Sequence, residues 1–253
     1  MLNAFLNWFA RMSIWEASGW SLLENILLLL LSIGVGEVLV LVFDDHRVAP
    51  VPPKLQRREV LLAISCVLMN TLVTIAGWSL WRAGIIVIRP DTGARAWLDV
   101  VVLVVVMDFA MYVTHRLAHF PWVYPLLHRT HHDYDSPRPL SLFVLNPLEV
   151  LGFGGLYLTI VIVYPSSWLG MVVYLTLNLA FGTLGHLGVE PCPRDWLRLP
   201  GLRLVGSSSF HAGHHQRRAS NFGFYTTVWD RLFGTLDPVD PAPPGVASEA
   251  AIR

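Results

Sequence analysis

From Val60 to Trp81 the chain reads VLLAISCVLMNTLVTIAGWSLW, with no charged side chain anywhere in the run. About 20 mostly apolar residues in helical form cross the hydrocarbon layer of a bilayer, and such a run has no comparable use in a small soluble domain. Two further stretches read the same way. Ile26–Phe43 is interrupted only by Glu37, and Trp97–Thr114 contains Asp99 and Asp108. Two shorter stretches follow, Val150–Tyr164 and Trp168–Leu187, joined by the turn Pro165-Ser166-Ser167. At helical rise the first of this pair covers roughly 22 Å, so it either crosses or dips in and returns. In both cases the pair begins and ends on one side. The expected fold is therefore all-α: an integral-membrane helical bundle of three long helices plus a short helical hairpin.

Composition agrees. Apolar residues make up 54% of the chain and charged residues 14%, with a mean hydropathy of +0.51, values typical of membrane proteins. The formal net charge is zero, which argues against a nucleic-acid partner or electrostatic steering of a charged substrate. Cys66 and Cys192, the two cysteines, form neither a disulfide framework nor a cysteine metal box. At the start of the chain Leu2, Phe5, Leu6 and Phe9 recur at helical spacing beside Trp8 and Trp15, which predicts a short helix lying on the membrane surface. One basic residue, Arg11, and no small-residue cleavage site make this stretch a poor signal peptide. The proline- and alanine-rich segment 238–253 reads as a disordered tail.

If the loop Asp44–Glu59 is cytoplasmic, so are His115–Glu149 and the residues after Gly188. Those segments hold fourteen Lys and Arg residues, against Arg11, Arg82, Arg89 and Arg95 on the other side. The positive-inside rule favours this orientation. It places the histidines at one membrane face, the cytoplasmic one, where nine of the ten, all but His46, form a His-rich helical cap.

The nine are His115 and His119 in HRLAH, His128, His131 and His132 in HRTHH, His186 in GHLGVE, and His211, His214 and His215 in HAGHH. Positions i, i+3 and i+4 of a helix share a face, so each H-x-x-H-H presents three rings together. Imidazole is the commonest protein metal ligand near neutral pH. A catalytic zinc takes about three protein ligands and a structural one about four, so nine nitrogens suit two metals, with four or five each. Iron, copper, nickel and zinc all accept imidazole, and ligand type alone does not choose among them. A lone histidine on a membrane helix is ordinarily structural or interfacial, and His46, alone in a polar loop, is read that way.

The ordered set H-x3-H, H-x2-H-H, a lone His and a second H-x2-H-H resembles the fatty acid hydroxylase/sterol desaturase superfamily of integral-membrane di-iron oxygenases. The resemblance extends to DFAMYVTHRLAH, to NPLE at Asn146–Glu149, and to NFGFYTTVWDRLFGT at Asn221–Thr235. It covers about residues 97–237 and divides the chain into 1–95 (the interfacial helix and two membrane helices), a catalytic region 96–237, and the tail. It implies that the nine histidines hold two iron ions, for which zinc can substitute in a purified sample. It further implies a lipid-like substrate, with dioxygen used to hydroxylate or desaturate an unactivated C–H bond.

One departure stands out. Some fatty-acid hydroxylases carry a second H-x3-H where this chain reads HLGVE, so Glu190 either faces the metal or accepts a hydrogen bond from a ligand ring. Asp108 shares a helical face with His115 and His119. It either orients a ligand ring, as carboxylates behind metal-bound histidines do, or pairs with a base such as Arg116 or Arg129. Asn178, eight residues before His186, has a similar orienting role or a helix-packing one. Asp230 and Arg231 are read as holding the final segment against the core.

No nucleotide loop, flavin motif or cysteine cluster supplies electrons, which implies a separate electron-donor protein. Arg194, Arg198, Arg203, Arg217 and Arg218 would form its docking face or contact anionic lipid headgroups. Three other classes compete. A metal transporter needs ligands along a path through the bilayer rather than at one end. A haem-b subunit uses only two histidines. A metal-dependent membrane lipid hydrolase would use the same cluster without dioxygen.

Overall fold

The computed structural model describes residues 2–193 and 199–237; the expected disordered tail, Arg194 and Arg198 lie outside them. Four helices are long and apolar enough to cross a membrane: α2 (Ile14–Val42), α3 (Arg57–Arg82), α4 (Ala94–Ala118) and α8 (Trp168–Gly185). With α7 (Pro147–Val163), a shorter apolar helix, they form the bundle expected from the sequence. α2 starts well before Ile26. Ser13 and Glu16 form a capping box, in which Ser13 Oγ accepts the Glu16 N–H at 3.2 Å and Glu16 Oε2 accepts the Ser13 N–H at 2.8 Å. Polar residues such as Glu24 and Asn25 end the apolar run without lowering helix propensity enough to end the helix.

The end of the bundle away from the histidines is closed by two devices. The short helix α1 (Leu2–Arg11) lies across it. Phe9 packs on Trp81 with ring centroids 5.7 Å apart, and Phe5 meets Trp168 at 5.5 Å. Trp78 Nε1 donates to the Phe9 carbonyl at 3.1 Å, and Arg82 donates to that of Met12 at 3.2 Å. The second device is a polar knot. β1 (Ile88–Arg89) pairs in parallel with β2 (Ser166–Ser167), Ile88 opposite Ser166. Beneath them the fully buried Asp99 accepts from Arg89 (2.6 Å), Tyr164 OH (2.8 Å) and the Ser167 N–H (2.8 Å). A buried carboxylate is tolerated when paired and hydrogen-bonded in this way, and the knot fixes the α7–α8 turn to the start of α4.

Between the ends, Leu103, Met107, Met111, Val161, Tyr174 and Tyr225 form the principal apolar core. α3 and α7 touch at Gly154, where a Cβ would lie 2.5 and 2.7 Å from the two methyls of Val73. The small-residue contact brings two backbones together without a hydrophobic driving force between them. At the histidine end, the α2–α3 loop is stitched to the segment after α8. Val48 N–H donates to the Gly188 carbonyl (3.0 Å) and Glu190 N–H to that of His46 (2.9 Å).

Because the Val73 methyls are held on a β-branched side chain, Gly154→Ala is expected to overpack the α3–α7 contact and destabilise the fold by about 1–3 kcal/mol. Thermal unfolding in detergent checks this; an unchanged midpoint would show that the helices separate freely there.

Candidate metal centre

Each histidine is delivered by the end of a helix. His115 is in the last turn of α4 and His119 is its C-cap. His128 separates two single-turn helices, α5 (Tyr124–Leu127) and α6 (Arg129–His132), the second of which carries His131 and His132. His186 caps α8. His211, His214 and His215 lie on α9 (Ser208–Gln216), a wholly buried helix up to its last residue.

The nine rings meet as two groups, His115, His119, His128, His132 and His214 in one and His131, His186, His211 and His215 in the other. Each H-x-x-H-H therefore straddles the centre instead of presenting all three rings to one point. Within each group the nitrogens offered lie within 4.8 Å of one another. The Nε2 atoms approach closely: His115–His128 3.0 Å, His132–His214 3.1 Å and His119–His132 3.2 Å in the first group. In the second, His131–His215 is 3.1 Å, His186–His211 and His211–His215 are 3.2 Å, and His131–His186 is 3.4 Å.

These spacings test whether metals fit. Nitrogens about 2.1 Å from a common ion are about 3.0 Å apart at right angles and about 3.4 Å apart in a tetrahedron. The far edges of the rings show that metal binding suits them better than mutual hydrogen bonding. His115 Nδ1 faces the Phe222 carbonyl (2.8 Å), His186 Nδ1 that of Gly182 (2.7 Å) and His214 Nδ1 that of Ser220 (2.7 Å). His128 Nδ1 lies 2.5 Å from Glu149 Oε1. With the proton on Nδ1, each of these neutral rings presents a bare Nε2 lone pair to the centre.

The supporting carboxylates are not where the sequence put them. Among the described residues Asp108 hydrogen-bonds to no histidine and no base. It accepts from the Tyr225 and Thr226 N–H groups (3.0 and 3.2 Å), from Trp229 Nε1 (2.9 Å) and from the Thr226 hydroxyl (2.5 Å). A shared helical face pointed it toward the right end of the bundle, but the final segment intervenes. Glu190 likewise hydrogen-bonds to no histidine among the described residues; its carboxylate accepts from the Ser209 N–H (2.8 Å) and hydroxyl (2.6 Å) and from the Cys192 N–H (3.2 Å). It thus caps α9, together with Ser207, whose Oγ accepts the Phe210 N–H at 3.2 Å. Four residues after His186 the chain has left α8, so the i,i+4 rule that aimed Glu190 at the metal does not apply.

Among the described residues Glu149, the acid of NPLE, is the carboxylate that meets one of the nine rings, His128, a role its sequence position did not reveal. The signal available was an acid at the first turn of an apolar helix, needing a buried partner. Asp230 does hold the final segment, accepting from the Phe222 and Gly223 N–H groups (2.8 and 2.7 Å) and from Thr235 Oγ1 (2.7 Å). Asn178 accepts from Tyr225 OH at 2.6 Å, a packing contact rather than one to a ring. Of the arginines, Arg217 pairs with Asp237, Arg218 lies over the Tyr124 ring (5.6 Å), and Arg203 offers its carbonyl to Thr227 and Arg231.

Residues 100–235 match the fatty acid hydroxylase family, a stretch that contains all nine histidines. The chain belongs to that family. Among its curated relatives are a cholesterol 25-hydroxylase-like protein of Danio rerio, 31% identical over 143 residues that cover 56% of this chain and 57% of the relative. Methylsterol monooxygenase 1 of Danio rerio is 30% identical over 131 residues, 52% of this chain and 44% of the relative. Lathosterol oxidase of Homo sapiens is 26% identical over 204 residues, 76% of this chain and 66% of the relative. The chain spans about half the length of the first of the curated relatives it matches. No solved structure matches it.

In this member of the fatty acid hydroxylase family the rings are kept uncharged. Burial and the neighbouring imidazoles hold His119 at about 3 and His132 at about 2, and the same causes hold His128, His131, His211, His214 and His215 well below the ordinary histidine value. An unfolded imidazole takes a proton near about 6.5. Below that pH, down to about 3 for His119, the unfolded chain binds more protons than the folded one, so stability falls as pH falls. Metal-free protein is expected to show a steady drop in its unfolding midpoint between about pH 6.5 and about pH 5, and little change above about pH 7.5. A flat profile across that window would show that the rings are not buried neutral.

Proposed function

We propose that this chain is a membrane-bound di-iron oxygenase that uses dioxygen to hydroxylate or desaturate an unactivated C–H bond of a lipid-like substrate. The observation that carries this reading is the convergence of nine Nε2 atoms, five and four, at spacings suited to two ions and at one end of an apolar bundle. His115, His119, His128, His132 and His214 would hold one iron, and His131, His186, His211 and His215 the other. Two reduced irons held in this way would bind dioxygen and supply two of the four electrons it takes up, the other two coming from the substrate's C–H bonds, chemistry that no side chain can supply.

The chain's own residues position the ligands and exclude water. Phe222 packs edge-on against His115, His119 and His214 at 5.7, 5.2 and 5.5 Å, and Tyr124 lies 5.4 Å from His119. Beside the four-histidine group, Phe181, Phe210 and Phe224 join His186 and His211 in lining a pocket with room for about one water, an apolar wall against that group. On the other side of that group an open cavity of about 540 Å³, lined by Pro50, Asp135, His215, Gln216, Arg218 and Ala219, leads outward. It gives a separate electron donor a short route to His215.

The relatives' names, a cholesterol 25-hydroxylase-like protein, a methylsterol monooxygenase and a lathosterol oxidase, favour a sterol-like or comparably apolar substrate. The fourteen-to-four distribution of Lys and Arg supports a cytoplasmic metal face.

Purified protein is expected to contain two irons per chain, and cells expressing it to accumulate a lipid heavier by one oxygen or lighter by two hydrogens, only in air. His131→Ala and His214→Ala, one ligand from each group, are each expected to remove metal and abolish product. Full iron content and turnover in either variant would sink the ligand assignment, and anaerobic product formation would sink the oxygenase reading.

A further inference from the structure

Among the ring nitrogens facing away from the two groups, His128 Nδ1 differs in what it meets. His115, His186 and His214 are oriented by neutral main-chain carbonyls, whereas His128 faces a carboxylate, at 2.5 Å, with the two side chains only 3% and 5% exposed. The pairing is built by the local sequence. Asn146 is the N-cap of α7, its Oδ1 accepting the Leu148 N–H at 2.9 Å, while its Nδ2 donates to the Leu126 carbonyl at 2.9 Å. That second bond ties the start of α7 to the chain two residues before His128. Glu149 follows in the first turn, where a carboxylate is favoured by the helix dipole, and is brought directly beneath the imidazole. The two hydrogen bonds act as a latch with His128 as its outer plate.

The two groups are unequal in this support. In the five-histidine group three rings, His115, His128 and His214, have their Nδ1 atoms engaged, one of them by a carboxylate. In the four-histidine group His186 is engaged, while His131 and His215 Nδ1 are buried with no protein acceptor among the described residues; in the five-histidine group the same holds of one ring, His132. An acceptor on the far nitrogen fixes tautomer and ring plane, and an anionic one also makes the ligating nitrogen more basic. A neighbouring carboxylate further offsets charge that two divalent ions would otherwise concentrate among neutral ligands.

We propose that Glu149 is a positioning residue for His128 and makes the five-histidine group the tighter of the two metal sites. The proposal rests on the reading of these groups as metal sites, but not on the oxygenase chemistry, so it can be tested with a redox-inert ion. Metal-free protein in detergent is titrated with Co²⁺, whose visible absorption reports each site, and then challenged with a chelator.

Wild-type protein is expected to bind two ions and to surrender them in two phases. Glu149→Gln, which keeps an acceptor but removes the charge, is expected to weaken the slower-leaving ion about 10–100-fold. It should shift that ion's absorption bands alone and leave the other ion as in wild type. Glu149→Asp, charged but one methylene short of His128, should weaken the same ion.

Wild-type affinity for both ions in either folded variant overturns the proposal. So does equal weakening of both with helicity intact, which would mean that Glu149 acts on the fold and not on one ring. Should neither variant fold, single-phase release of both ions from wild-type protein overturns it, and two-phase release with the five-histidine variant His128→Ala lacking the slow phase sustains it. Absence of any Co²⁺ binding overturns the metal reading itself, an outcome distinct from all of these.

Discussion

At the centre of this molecule nitrogen atoms approach one another lone pair to lone pair. A neutral imidazole has one donor and one acceptor. In His115, His128, His186 and His214 the donor nitrogen is already engaged on the outer side of the ring. What remains on the inner side, where His115 meets His128, is acceptor against acceptor at 3.0 Å, an arrangement that repels unless a cation sits between. Burial keeps protons from relieving it, because a charged imidazole in this apolar end would lack water and, except for His128 beside Glu149, an anion. The surrounding architecture can be understood as the apparatus that holds nine rings in a geometry that they would not adopt alone.

That apparatus is made of carboxylates that bind backbone. Asp108 and Asp230 between them accept four main-chain N–H groups of residues 222–226. The Phe222 carbonyl within the same stretch orients His115, and Glu190 seats the first turn of α9. Asp108 and Glu190, which sequence reasoning set beside the histidine cluster, thus lie one step further out, and with Asp230, which holds the final segment as expected, they fix the segments that carry the rings. α4 links the two ends of the molecule, since it carries Asp99 in the polar knot, Asp108 in the clamp and His115 in the centre.

The helices were legible because bilayer thickness imposes a length that apolar composition reveals directly. Val60–Trp81 and Trp168–Leu187 needed no knowledge of neighbours. The gathering of histidines at one end followed from counting crossings. What sequence spacing could not show was where a helix stops: HLGVE leaves α8 at His186, so Glu190 turns toward Ser209. Nor could it show that HRTHH begins at the junction of two single-turn helices and sends His131 away from His128 and His132. Glu149 was overlooked because its partner is twenty-one positions earlier, across a loop whose path depends on packing and not on periodicity.

The order of the chain gives the Asp108 clamp a temporal meaning. The ribosome releases His115 about a hundred residues ahead of His215, and residues 222–230 emerge later still. Until they do, Asp108 has no backbone to grip and α9 is not seated. The early histidines must wait for their partners, so that both groups of rings close only after most of the polypeptide has been made.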